Sequence, residues 1–319
     1  MRHSTEMPSV WVVIVNFNSY ADTADCLKSL QAATYPELTV ALVDNGSTDG
    51  SRHELEEQFP QVEHIRSDEN KGFAGGANQG IRAALGAGAQ FICLLNNDTL
   101  PEKDFIEPLV ERAGATPDVG IVGGKILYAD TPDIIWFAGG RIDRHRGFTS
   151  HRGQDVPDAP AFNKPRYVDY VTGCLFLVRA GLFEDNGLLD ESLFMYAEEL
   201  EFCLRVRRAG LRCFYEPRSV IRHRVSRSMG AAYRPVYYYY LTRNLMEVYR
   251  GHLGVSRFSV TVFRLGWHLV VCQSYMMLRA HRTAAAPFIA ALWLGLADFM
   301  TGNIGRCRHD WLEIYGGRS

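Results

Sequence analysis

Three apolar runs in the first hundred residues each end abruptly in side chains able to grip a polar ligand. Val10 to Val15 ends in Asn16, Phe17 and Asn18, Leu38 to Val43 in Asp44 and Asn45, and Phe91 to Leu95 in Asn96, Asn97 and Asp98. An ionised carboxylate only accepts hydrogen bonds or binds cations, so Asp44 suits an N–H donor and Asp98 a divalent metal. Farther along, Glu198 and Glu199 open a stretch in which Leu200, Cys203 and Leu204 recur at helical spacing, and His223 stands among Arg222, Arg224 and Arg227. A positioned carboxylate can take the proton of an attacking hydroxyl, imidazole is a suitable metal ligand, and guanidinium groups clamp phosphates. Each feature also has a plainer reading. Asp98 or Thr99 can cap a helix suggested by Pro101 to Phe105. Glu198 and Glu199 can complement a helix dipole at about 0.3–1 kcal/mol each, with Glu201 and Arg205 as an i,i+4 pair.

The elements that must carry these residues are legible from periodicity. The three runs are continuous and rich in β-branched residues, as strands buried on both faces of a parallel sheet are. A helix is expected over 22–30, with Cys26, Leu27 and Leu30 on one face, a short strand over 62–65, and a helix carrying Ile81, Ala84 and Leu85 after the glycine-laden connection 68–80. Strand and helix alternating in units of this size make a doubly wound α/β fold, and the carboxyl ends of its parallel strands share one edge. All three polar clusters then meet in one crevice. The sheet is expected to continue over 119–137 and again over 170–179, and Gly210 closes the helix that Glu198 begins.

Two nucleotide sites are excluded by their glycines. A dinucleotide fold wants GxGxxG directly after the first strand, where this chain has Asn16-Phe17-Asn18, and Gly123-Gly124-Lys125-Ile126 lacks the hydroxyl residue of a P-loop. A sugar-phosphate nucleotidyltransferase is disfavoured because its glycine-rich basic loop after the first strand is also missing. What remains is a nucleotide held by strand-end side chains, its base accepted by Asp44 as the imide N–H of uracil or thymine, its phosphates neutralised by a metal on Asp98.

Together, Val13-Ile14-Val15-Asn16-Phe17-Asn18, Val43-Asp44-Asn45-Gly46-Ser47-Thr48-Asp49-Gly50-Ser51, Asn70-Lys71-Gly72-Phe73-Ala74-Gly75-Gly76-Ala77-Asn78-Gln79-Gly80 and Leu95-Asn96-Asn97-Asp98 resemble family 2 glycosyltransferases of the GT-A fold, above all bacterial rhamnosyltransferases. The resemblance covers roughly residues 8 to 230. It implies that Val15, Asn16, Phe17, Asn18, Asp44, Asn45 and Asn97 line the pyrimidine nucleotide, that Lys71 and Gly72 lie near base and diphosphate, and that Asp98 with His223 binds Mg2+ or Mn2+. It further implies that Gly173 leaves room for a sugar and that Arg222, Arg224 and Arg227 serve phosphate or acceptor. The family's base comes from an acid pair at the start of a helix, which selects Glu199, with Glu198 and then Glu201 as alternatives. Asn96 and Asn97 stand where the metal motif often carries a further acid, so the donor diphosphate is left to supply much of the coordination. The implied reaction is inverting transfer of a sugar, L-rhamnose from dTDP-L-rhamnose first and a hexose from a UDP-sugar second, to a bacterial surface glycan or lipid-linked acceptor. A non-catalytic sugar-nucleotide binder stays as the alternative.

The rest of the chain bounds this reading. The 319 residues are 47% hydrophobic and 22% charged, an ordinary globular composition. Seven scattered cysteines with no CxxC pair argue for reduced thiols and against a zinc site, and the polar start from Met1 to Ser9 argues against a signal peptide, so a cytoplasmic setting is expected. Nothing points to nucleic acid. Net charge is -2, but residues 1–229 hold 24 Lys and Arg against 32 Asp and Glu, whereas residues 230–319 hold 10 against 4. The division expected is therefore a GT-A domain over 1–229 and a basic, apolar helical region over 230–319. Its uncharged run of 14 residues from Ala284 to Ala297 is shorter than the roughly 20 a bilayer span requires. Cations interleaved with aromatics suit helices lying on an anionic membrane face, peripheral to the inner leaflet; packing against the body or a homodimer contact suits them equally. Arg141, Arg144, His145, Arg146, His151 and Arg152 form a basic stretch that either faces an anion or is a solvated loop.

Overall fold

A computed structural model describes residues 7–143, 148–224, 235–252 and 285–309, with isolated positions between 264 and 278. The strands are Val10–Asn16 (β1), Leu38–Asn45 (β2), Glu63–Ser67 (β3), Phe91–Leu95 (β4), Thr99–Pro101 (β5), Val119–Tyr128 (β6), Ile135–Phe137 (β7), Gly140–Asp143 (β8), Phe148–His151 (β9), Arg166–Val168 (β10), Leu175–Arg179 (β11) and Arg212–His223 (β12). The helices are Tyr20–Gln31 (α1), Ser51–Gln58 (α2), Gly72–Gly86 (α3), Glu107–Ala115 (α4), Gly181–Asn186 (α5), Glu198–Arg208 (α6), Pro235–His252 (α7) and Ala286–Thr301 (α8).

The main sheet runs β10-β12-β6-β11-β4-β1-β2-β3, with β5 added on β12 and β7 on β6. Strands β3, β2, β1 and β4 are mutually parallel, whereas β11 enters antiparallel between β4 and β6. The parallel half is the expected doubly wound unit, and β11 makes the whole sheet mixed. Helices cover both faces, which is why β4 is buried along its whole length and β1 is apolar from Val10 to Val15. Each fully buried Val, Leu, Ile or Phe contributes roughly 1.5–3 kcal/mol, so the parallel core strongly resists a register slip.

The stretch after Asp98 departs from expectation. Thr99–Pro101 is a strand paired antiparallel with Ile221–His223, and α4 begins only at Glu107. Asp98 is therefore not a helix cap but the turn residue between two strands. The run Pro101 to Phe105 lacks a helix because its first residues are drawn into the sheet edge, where Pro101 tolerates the loss of an N–H. The sequence division at 229/230 falls within 225–234, outside the described residues. Beyond it, α7 packs into the body, with Thr242, Arg243 and Asn244 at most 1% exposed.

Gly72 joins the two halves of the site. Its φ is +72°, and a Cβ there would lie 2.2 Å from the backbone oxygen of Phe194, so a side chain is opposed by both conformation and space. Gly86, at the far end of the same helix, has open space where its Cβ would be. Gly72→Ala is expected to destabilise the fold by about 1–3 kcal/mol. Gly86→Ala should be neutral or stabilising by up to about 1 kcal/mol. Denaturant unfolding of both variants checks the contrast, and equal effects would show that the Gly72–Phe194 approach is not a constraint.

Candidate functional site

A hydrogen-bonded network lies at the carboxyl ends of β1 and β2. Asn16 pairs in register with Asp44, and its Nδ2 donates to Asp44 Oδ1 at 3.1 Å, Ser47 Oγ at 3.1 Å and Ser51 Oγ at 3.0 Å. Its Oδ1 accepts from Thr23 Oγ1 at 3.0 Å, and that hydroxyl accepts from Asn97 Nδ2 at 2.8 Å, so the first and third polar clusters are wired together. Asp44 Oδ2 accepts from Arg52 Nε at 2.8 Å and from the Ser47 amide at 3.2 Å. Burial pushes this carboxyl up, but the hydrogen bonds from Ser47, Arg52 and Asn16 outweigh it and hold Asp44 below its usual range, hence anionic.

Asn45 shapes the neighbouring turn. It is 2% exposed, its Nδ2 donates to Asn70 Oδ1 and the Gly72 carbonyl at 3.1 and 3.0 Å, and its Oδ1 accepts from the Lys71 amide at 3.1 Å. Its amide is occupied in shaping the 70–72 turn. Lys71 is exposed, and Val15, Phe17, Asn18 and Asn97 are half-buried.

Strand pairing brings Asp98 and His223 together. His223 lies opposite Thr99 in the β5–β12 register, and its Nε2 is 3.0 Å from Asp98 Oδ1. Both side chains are under 10% exposed. Nδ1 of His223 has no hydrogen-bond partner among the described residues. The imidazole packs edge-on against Trp136, 4.6 Å between centroids, and Trp136 makes the same contact with His151, whose pKa burial pushes down to about 4. Trp136 carries no motif and was not legible as part of the site.

Arg222 and Arg224, on either side of His223, both meet carboxylates. Strand alternation turns Arg222 away from His223, into an ion pair with Glu102. Arg224 donates its amide to the Asp98 carbonyl at 2.9 Å and its guanidinium to Asp22 and Asp25 at 3.3 and 2.8 Å. It thus ties the Asp98 turn to α1. Arg227 lies outside the described residues, as do Arg144, His145 and Arg146. Arg141 and Arg152 line a cavity of about 360 Å³ with Arg166, Arg207 and Arg212, whereas His151 packs on Trp136.

Glu198 and Glu199 stand in the first turn of α6, as their spacing implied. Glu198 is 5% exposed and its Oε2 has no partner among the described residues. Burial, and then the neighbouring Glu199 charge, push its carboxyl well up. Glu199 is half-buried; burial raises its pKa too, opposed by backbone N–H groups of Glu199, Leu200 and Gly173. Glu201 differs: burial raises it, but His252 and Arg205 outweigh that, so it is a buried ion-pair carboxylate and not a free base. The helix is entered through Phe194, Tyr196 and Ala197, all at positive φ (65°, 67° and 71°), a backbone that costs on the order of 1–3 kcal/mol per residue.

One turn links the parts. A Cβ built at Gly173 would lie 3.6 Å from Glu199 Cβ and 3.8 Å from Phe73, and the next residue, Cys174, accepts from the Asn96 amide at 3.2 Å. The Asp98 turn, the acid pair and the Lys71–Gly72 loop therefore surround residues 173–174. The contacts at Gly173 are of ordinary van der Waals length, so an alanine fits there.

A mixed sheet with polar clusters gathered at the carboxyl ends of the parallel strands β1, β2 and β4 is that of the GT-A fold. A mannosyltransferase from Pyrobaculum calidifontis, in complex with GDP-Man and Mn2+, shares this fold with a TM-score of 0.60 at 16% identity, over 94% of this chain and 89% of its own. GalNAc-T7, with UDP, GalNAc and Mn2+, shares it with a TM-score of 0.55 at 19% identity, over 68% and 43%. The family model "Glycosyl transferase family 2" matches residues 11–185, and the chain belongs to that family. Its relatives include a low-salt glycan biosynthesis hexosyltransferase of Haloferax volcanii, 29% identical over 65% of this chain and 64% of that protein. Another is the N-acetylglucosaminyl-diphospho-decaprenol L-rhamnosyltransferase of Mycobacterium tuberculosis, 27% identical over 69% of this chain and 77% of its own length. The described part of the chain has no helix long and apolar enough to cross a membrane.

The acid pair has a consequence for stability. A carboxyl whose folded pKa lies above its unfolded value of about 4.3 costs nothing below that pH and destabilises increasingly as pH rises through the folded value. Glu198→Gln removes this cost, so its unfolding midpoint should exceed that of the wild type at pH 8 and match it at pH 4. Thermal unfolding at the two pH values tests this; a variant less stable at pH 8 would mean that Glu198 is paired in its charged form.

Proposed function

We propose that the protein is an inverting, metal-dependent glycosyltransferase that takes its sugar from a pyrimidine nucleotide, dTDP-L-rhamnose before a UDP-hexose. The observation that carries this reading is the convergence on the Gly173–Cys174 turn, where Glu199 and Phe73 lie against Gly173 and the Cys174 carbonyl accepts from the amide of Asn96, two residues before Asp98. Glu199 accepts the proton of an acceptor hydroxyl as its oxygen bonds to the anomeric carbon from the face opposite the nucleotide. The bond from that carbon to the nucleoside diphosphate breaks, and the diphosphate leaves with the electron pair. The Gly173 and Leu200 amides hold the Glu199 carboxylate in place, and Asp44 accepts the imide N–H of the base.

The residues fit a divalent ion, Mg2+ or Mn2+. Two donors side by side on an octahedral ion with bonds of about 2.1 Å are about 3.0 Å apart, the separation of Asp98 Oδ1 and His223 Nε2. Among the described residues no third His, Cys, Asp or Glu joins them, which leaves positions for the donor diphosphate and water. When bound, such an ion neutralises charge developing on the leaving diphosphate. The acceptor we infer is a surface glycan or a lipid-linked saccharide, met at the cytoplasmic face of the membrane. The decaprenol-linked substrate named for the mycobacterial relative supports this, as do Trp293 and Met300, one face of α8 at 52% and 70% exposure. We keep the sequence division, with 1–229 as transferase domain and 230–319 as its docking region.

Two measurements test the proposal. In a thermal-shift panel of UDP, dTDP, GDP and ADP compounds with and without Mn2+, a stabilisation confined to pyrimidines and dependent on metal is expected, about 2.7 kcal/mol at a hundredfold excess over Kd. A response to purines alone would remove the pyrimidine assignment. In a transfer assay with the donor so found, Glu199→Gln is expected to lower kcat by about 10²–10⁴ while keeping the nucleotide-induced shift. Because Glu199 must be ionised to act and its pKa is raised, the wild-type rate should climb with pH to a midpoint above the usual carboxylate range. A Glu199→Gln enzyme working at the wild-type rate refutes the assignment of the base.

A further inference from the structure

The segment that delivers the acid pair is held in a costly shape by a helix far along the chain. Phe194, at φ 65° and ψ -62°, sits in a γ-turn of the strained hand, with the Met195 amide donating to the Leu193 carbonyl at 2.8 Å. Of the five non-glycine residues at positive φ among those described, three lie within Phe194 to Ala197. Short-range sequence does not explain this, since aromatic residues disfavour the left-handed region.

The explanation lies on α7. Asn244 is fully buried, and its Nδ2 donates to three acceptors of the strained path, the carbonyls of Leu193, Met195 and Tyr196, at 2.9, 2.8 and 2.8 Å. Its Oδ1 accepts from Arg243 Nε at 2.9 Å, which fixes the amide in the one orientation that presents N–H to carbonyls. Arg243, 1% exposed, donates to the same Leu193 carbonyl at 3.1 Å and to the Gly305 carbonyl at 2.7 Å. Its guanidinium lies beside the rings of Tyr239 and Tyr240, 5.3 and 4.9 Å from their centroids, and Tyr240 stacks on Phe194 at 5.6 Å. Tyr239 in turn donates to Asp298 Oδ2 at 2.7 Å, and the Gly305 amide donates to the Ser192 carbonyl at 2.7 Å, so α8 and the segment after it complete the brace. On its other side the loop meets the donor turn, where the Phe194 carbonyl accepts from the Ala74 amide at 3.3 Å and leaves no room for a Cβ at Gly72.

A buried arginine bonded chiefly to carbonyls is an expensive way to pack a helix, and apolar residues would do that more cheaply. We propose that Arg243 and Asn244 are positioning residues of the transfer reaction: they hold Phe194 to Ala197 in its positive-φ path, so that Glu199 is aimed at the acceptor beside the Lys71–Gly72 turn. The helical pair α7 and α8 is then part of the catalytic apparatus as well as a docking region. The inference rests on Glu199 being the base.

The test uses the full-length enzyme and its best nucleotide-sugar donor. Asn244→Asp keeps the shape and removes both N–H donors; Arg243→Lys keeps the charge and removes the planar fork. The expected result is a 10- to 100-fold lower kcat for Asn244→Asp and a smaller loss for Arg243→Lys, with KM for the donor within threefold of wild type. The acid limb of the pH–rate profile should move toward the ordinary carboxylate range as Glu199 leaves its place against Gly173. Should Asn244→Asp fail to fold, Arg243→Lys is followed by amide hydrogen exchange, which is expected to quicken at residues 193–197 and not in β1, β2 or β4. A folded Asn244→Asp with wild-type kcat, or a fall in kcat with an unmoved pH profile and unchanged exchange at 193–197, overturns the proposal. Glu199→Gln in the same assay keeps the two ideas apart. If Glu199→Gln is inactive while Asn244→Asp is fully active, the brace alone fails; if Glu199→Gln is fully active, the base assignment fails.

Discussion

The antiparallel pairing of Thr99–Pro101 with Ile221–His223 is the constraint on which the centre of the site depends. These few main-chain bonds set His223 opposite Thr99, bring its Nε2 to 3.0 Å from Asp98 and leave Arg222 on the reverse face with Glu102. Because side chains alternate along a strand, a slip of one residue would exchange them, putting a guanidinium where the imidazole now stands. The register is held from both sides. The parallel β6 pairs along β12 as far as His223, and Arg224 carries the chain on to the Asp98 carbonyl and the carboxylates of α1.

Around that centre, similar carboxylates acquire opposite properties from the donors within reach. Asp44, Glu198 and Glu201 are all nearly excluded from water, and burial pushes each toward its neutral form. Asp44 and Glu201 meet guanidinium, amide or imidazole donors and fall below their usual values. Glu198 meets a second acid instead and rises. Two of these residues are thereby held as anions, Asp44 in the network at the ends of β1 and β2 and Glu201 in its ion pair, while Glu198 is pushed toward its neutral form.

The positive-φ entry to α6 shows how the separate parts of the site become one object. The Phe194 carbonyl serves the donor turn at Ala74, the Leu193, Met195 and Tyr196 carbonyls serve α7, and the helix that follows carries the acid pair. Strain of this kind persists only where the surroundings over-determine the backbone. Here three segments distant in sequence do so: the turn at Ala74, α7, and the chain at Gly305.

The sequence by itself determined the parallel strands, the polar clusters at their ends, the helix beginning at Glu198, and through its four ordered motifs the family. Each of these is encoded locally: period and β-branching mark a strand buried on both faces, and spacing of three and four marks a helix face. Several matters were decided only by tertiary structure. Pro101 to Phe105 did not form the helix its composition suggested, because the sheet edge claimed Thr99–Pro101 first. Asn45 was drawn into the 70–72 turn, Arg222 and Arg224 onto carboxylates, and Trp136 between two histidines. No role for Asn244 was legible in the sequence, because its three carbonyl partners lie some fifty residues earlier. Spacing along a chain encodes which face a side chain occupies, whereas its hydrogen-bond partner is chosen by whichever distant segment the closing sheet and packing helices bring within about 3 Å.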